Sequence, residues 1–140
     1  MSSSNDLARQ ALTAAREITR TIAAHLAQKA SMDGKADQGW TDRLDQHQVA
    51  AFDLAHSVAE LTAAEEAVAF AERVPGATLE ASLADWSVAE ALINLRVRVA
   101  MRPAELGIDA KLRLRTVQAS EDVEFVENQF ASSNVDAIVA

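Results

Sequence analysis

The feature that most constrains this chain is the run from Thr41 to Val74, where apolar residues return at the spacing of a helix. Leu44, His47, Ala51, Leu54, Val58, Leu61 and Val68 follow the alternating three and four steps of a heptad seam, interrupted once by Glu65. A second stripe of Phe52, Ala55, Ala59, Ala63, Ala67 and Phe70 runs beside it. A helix of this kind needs cover on two sides, which places it at the centre of a bundle. Thr41 is a good N-cap, and Asp42 and Asp45 suit the positive end of the helix dipole. Pro75-Gly76 ends the helix, because proline lacks the N–H and glycine readily takes the left-handed conformation. At about 1.5 Å per residue such a helix spans roughly 50 Å. That is long for a chain of 140 residues, so a kink or an overhang for a partner is expected.

The rest of the chain is also helical in pattern. Hydrophobic residues make up 49% of the sequence but aromatics only 4%, with four glycines and two prolines, a composition rich in helix formers and poor in strand formers. A first helix is predicted from just after Asn5 or Asp6 to about Lys29, with Leu7, Ala11, Ala15, Ile18, Ile22 and Leu26 on its apolar stripe. Asp33-Gly34 lies in a loop. A third helix from near Thr78 to Arg102-Pro103 has an expected apolar face of Leu79, Leu83, Trp86, Ala89, Leu92, Ile93 and Val97. Lys111 to Arg115 alternates with a period of two, yet no second strand is at hand, so it reads as irregular or as a short helix. Glu121 to Phe130 suits a short amphipathic helix. The expectation is one all-α domain over residues 1–140, an antiparallel bundle of three to four helices with a long central second helix and mobile ends at 1–5 and 132–140.

Charge and composition narrow the function. The net charge of −8 disfavours a nucleic-acid binder, which needs a basic face. The absence of cysteine removes disulfides and thiol chemistry and suits a cytoplasmic protein. No run approaches the ~20 apolar residues of a membrane span, and no signal-like N-terminus is present. Between Asp33 and Glu90 twelve acids face three bases, whereas Arg96 to Arg115 carries six bases against Glu105 and Asp109. That basic stretch either pairs internally with the acidic helices and tail, or forms a phosphate or partner-docking patch around Arg96, Arg98 and Arg102. His25, His47 and His56 lack the i, i+4 spacing of a metal pair, so no metal site is expected. His56 with Glu60, and Glu65 as a seam carboxylate of raised pKa, are the acid-base candidates, but no catalytic constellation is assembled. Trp40 and Trp86 read as staple or core residues.

Three segments, "MDGKAD" from Met32, "RLDQHQVAAFDLAHSVAEL" from Arg43 and "RPAELGI" from Arg102, carry a family resemblance. Over about residues 6 to 108 the chain resembles the helical N-terminal extension of methylsuccinyl-CoA dehydrogenase-like flavoenzymes, within the acyl-CoA dehydrogenase family. The resemblance implies a helical module that precedes an FAD-dependent dehydrogenase body. The sequence given holds no region that resembles the FAD-binding or catalytic parts of that body. No catalytic position carries over, and any FAD enters only through a partner.

The expectation is therefore a non-catalytic accessory domain that docks on an acyl-CoA dehydrogenase body or on a second copy as a homodimer. Its interaction face would be Phe52, Ala55, Ala59, Ala63 and Phe70. The alternative is a subunit or carrier that binds a CoA-like phosphate ligand through the 96–115 basic segment.

Overall fold

The structure is a computed structural model that describes residues 4–31 and 39–133, with side chains described except at 4, 40 and 122–133. The Asp33-Gly34 loop, most of the two chain ends, the Trp40 side chain and the amphipathic packing expected after Glu121 lie outside that description.

Five helices form: α1 (Ser4–Ala30), α2 (Trp40–Asp45), α3 (Gln48–Arg73), α4 (Thr78–Met101) and α5 (Ala110–Ser133). No strand is present among the described residues. Side-chain pairs fix the directions. Arg9 bonds Glu72 and Arg16 bonds Glu65, so α1 and α3 run antiparallel. Arg98 meets Glu60 and Arg102 meets Asp53, which sets α4 antiparallel to α3. Arg96 meets Ser120 and Arg115 meets Glu17, so α5 packs on both α4 and α1. α1, α3 and α4 thus alternate in direction, and α5 completes the bundle of four long helices.

The core is built largely of small residues. Ala8, Ala11, Ala15, Ala64, Ala84, Ala89 and Ala91 are buried around Ile18, Ile22, Leu61, Val88, Leu92, Leu95 and Val99. α1 buries the stripe expected from its sequence, apart from half-buried Leu7.

Elsewhere the structure corrects the sequence reading. The long second helix is broken at Gln46-His47, where His47 leaves helical geometry at φ −112° and ψ 26°. The break lets α2 lie across the end of α1, where the Arg43 guanidinium donates to the free carbonyl of Ala30 at 2.9 Å. α3 is also rotated relative to the expected seam. Ala50, Ser57, Leu61, Ala64 and Val68 are buried, while Val58 is exposed and Phe52, Ala55, Ala59, Ala63 and Phe70 of the second stripe are left uncovered, its Ala67 packing partly on the core. On α4, Ala89 and Leu92 are buried as expected, but Leu79, Leu83, Trp86 and Val97 face solvent. Lys111 to Arg115, expected to be irregular or a short helix, lies in a long helix, while 103–109 form the turn before it. In that helix Leu112, Thr116, Ala119 and Ser120 follow helical spacing toward the core, and Asp109 Oδ1 caps it by accepting from the Leu112 N–H at 2.8 Å.

Two glycines hold the turns. Gly76 and Gly107 have φ of +86° and +69°. A Cβ at Gly76 meets open space, whereas one at Gly107 would land on the His25 ring. Gly76→Ala is expected to lose about 1 kcal/mol for its left-handed backbone, and Gly107→Ala about 2 kcal/mol or more because the ring must also move. Denaturant midpoints at unchanged m-value check the order. Equal losses would mean that the His25 contact is not tight.

Candidate functional site

Side chains that carry chemistry gather along the contact of α3 with α4. Asp53, Ser57 and Glu60 recur at four and three residues on one side of α3, and Asn94 and Arg98 on α4 with Arg102 at its C-cap follow at steps of four. The Arg98 guanidinium donates to both Glu60 carboxylate oxygens at 2.6 and 3.1 Å and to the Ser57 hydroxyl at 3.2 Å. Asn94 adds a bond to Glu60 at 3.1 Å, and Arg102 donates to Asp53 at 2.8 Å. These groups are part-buried, so their bonds are stronger than those of a solvated surface pair.

This network settles where the sequence-derived candidates sit. Arg98 and Arg102 are held by carboxylates of the neighbouring helix, as in internal pairing, and Arg96 Nη1 lies 3.3 Å from the Ser120 hydroxyl. A phosphate bound to Arg98 or Arg102 would have to displace Glu60 or Asp53. His56 and Glu60 do not form the expected acid-base pair. Glu60 turns to Arg98 and Asn94, and its pKa is held below the ordinary carboxylate value chiefly by the Arg98 bond. The His56 ring instead packs at a tilt against Phe52, with centroids 4.2 Å apart and the planes at 40°. The raised pKa expected at Glu65 is reversed as well. Its carboxylate accepts two bonds at 2.8 Å from Arg16, which lower its pKa.

Asp85 was not singled out by sequence reasoning. It is half-buried on α4, and burial alone pushes its carboxyl above the ordinary value. The available signal was its place between Ala84 and Val88, both of which are buried.

Beside the polar seam lies an apolar face. The exposed α3 stripe combines Phe52, Ala55, Ala59, Ala63 and Phe70, so the five expected interaction residues share one open face. Phe52 is 61% exposed and Phe70 50%. On α4, Leu79, Leu83, Trp86, Val97 and Met101 form an outward stripe at steps of three or four and their sums. The ion-pair register places Met101 level with Phe52, and Trp86 level with Phe70. Across the other side of α3 runs an open groove of about 370 Å³ against α1, whose Arg9 and Arg16 are paired with Glu72 and Glu65.

No group of three or more residues able to hold a metal occurs among the described residues, and none of their helices is long and apolar enough to cross a membrane. No family model, curated protein or solved structure matches the chain.

Two pH-dependent outcomes follow from these carboxyls. The Glu60 pKa is lowered in the fold, so its stabilisation is fully present above the ordinary value of 4.5 and is lost as pH falls through the lower folded value. Glu60→Gln is expected to cost about 2 kcal/mol at neutral pH, and less in acid. Asp85 has the opposite sign. Its raised pKa means that ionisation above the unfolded value of 3.8 weakens the fold, so Asp85→Asn is expected to raise neutral-pH stability, with the gain vanishing toward low pH. Thermal melts across pH 3 to 8 read both curves, and parallel shifts at every pH would contradict the assignments.

Proposed function

We propose that this chain is a non-catalytic helical interaction domain that docks through the exposed α3/α4 face. The observation that carries the reading is the concentration of large apolar side chains on that one side. A soluble monomer rarely exposes a contiguous apolar patch larger than about 300–600 Å² without a partner for it. Here about half of each large side chain is open, on the order of 100 Å² apiece, which brings the face to the ~800 Å² that each partner contributes to a standard interface.

The resemblance to the helical extension of methylsuccinyl-CoA dehydrogenase-like flavoenzymes makes an acyl-CoA dehydrogenase body the first heterologous partner to test, and a second copy of this chain the other. On this reading FAD belongs to the partner. The polar seam beneath the face has a supporting role: it locks α3 and α4 side by side so that two helical stripes act as one surface.

Size-exclusion chromatography with light scattering tests the proposal, using the protein alone and mixed with a dehydrogenase body at low and physiological salt. A dimer or a co-eluting complex is expected, and Phe70→Ser with Trp86→Ser should abolish it without changing helicity. A strict monomer under every condition, alone and in the mixture, would overturn the interaction reading.

A further inference from the structure

The exposed stripe of α3 reads nearly the same from either end. Phe52 and Phe70 each lie nine residues from Leu61, Ala59 and Ala63 two, and His56 and Glu66 five. All six are exposed, while Leu61 itself is in the core on the opposite side of the helix. Resting on the interaction-domain reading, we infer that the occupant of this face is a second copy of the chain, with α3 packed antiparallel on α3 about a two-fold axis level with Leu61.

Such an axis makes the surface self-complementary, the requirement of an isologous dimer. Phe52 of one copy comes opposite Phe70 of the other, twice, at positions about 27 Å apart along the helix. Between them Ala59 meets Ala63, and these methyl-sized side chains let the two backbones approach closely while the phenyl rings close the ends. His56 comes level with Glu66, so no acid is set against an acid along α3. On α4 the axis matches one pair: in the register fixed by Asp53–Arg102 and Glu60–Arg98, Met101 of one copy falls level with Trp86 of the other, while Val97 comes level with the exposed Glu90. The available apolar area matches one side of a standard interface.

The test uses the full chain, which has no cysteine of its own. Val49 and Val74, both exposed, lie twelve and thirteen residues from Leu61 and on the same edge of the stripe. Val49→Cys protein mixed with Val74→Cys protein should therefore crosslink with a short bismaleimide. Val49→Cys alone should not, because its two copies stand about 36 Å apart along the helices. Ala59→Glu, placed where the backbones approach, should raise the dimer dissociation constant roughly tenfold or more, with an unchanged circular dichroism spectrum.

A dimer that crosslinks only in the mixture supports the inference. A dimer in which Val49→Cys crosslinks to itself refutes the antiparallel axis but keeps the interaction domain. A monomer that still binds a dehydrogenase body refutes self-association alone, and a monomer that binds neither removes both readings.

Discussion

The arrangement of this bundle depends on the contact between Arg98 and Glu60, with Asn94, Ser57 and the neighbouring Arg102–Asp53 pair around it. An alanine-lined helix contact permits close approach, but its small, similar side chains give little to distinguish one rotation or register from the next. Directional bonds supply the missing information. A guanidinium gripping both oxygens of one carboxylate tolerates little sliding, so α3 and α4 are fixed in one register. The same geometry turns Asp53, Ser57 and Glu60 inward toward α4. The residues about a quarter turn away on α3, Phe52, Ala59, Ala63 and Phe70, are consequently turned out.

On the α1 side the pairs are of a different kind. Arg9–Glu72 and Arg115–Glu17 sit among exposed groups and add little to stability. Arg16–Glu65 makes the same two parallel bonds as Arg9–Glu72 but is less exposed at the guanidinium, where such bonds orient as well as attract. The bundle is therefore held by a graded set of polar contacts around an undemanding apolar core. α5 joins it through Leu112, Thr116, Ala119 and Ser120, where hydroxyls satisfied by their own helix replace larger apolar groups.

Much of the fold was legible in the sequence, for reasons that also explain where legibility stopped. The all-α class, the α1 stripe and the Pro75-Gly76 and Arg102-Pro103 boundaries rest on local rules, and the structure agrees. The rotation of α4 was not readable, because that helix has two apolar faces. Leu79, Leu83 and Trp86 outweigh Ala84, Val88, Ala91 and Leu95 in size, yet the smaller face is the one that fits between neighbouring helices. At Lys111 to Arg115 the period of two left irregular structure and a short helix both open, and the helical spacing of Leu112, Thr116 and Ala119 became decisive only over a longer window. The arginines of the seam stood out as a cluster. Their individual acids did not, since Glu60 is 38 positions from Arg98 and tertiary register chooses it.

The exposed apolar residues are not simply what an alanine-rich, aromatic-poor composition leaves over. A surplus of that kind would scatter over every helix. Among the described residues α1 has no exposed large hydrophobic at all and α5 only Leu114, whereas α3, α4 and the turn between them carry the other ten. On those two helices charged residues that could have covered the surface are spent on each other: Asp53 with Arg102, and Glu60 with Arg98. One set of bonds thus does two things. It fixes the relative position of α3 and α4, and by drawing those four charges into the seam it leaves an adjoining face that is largely apolar, in which Glu66 and Glu90 are exposed acids.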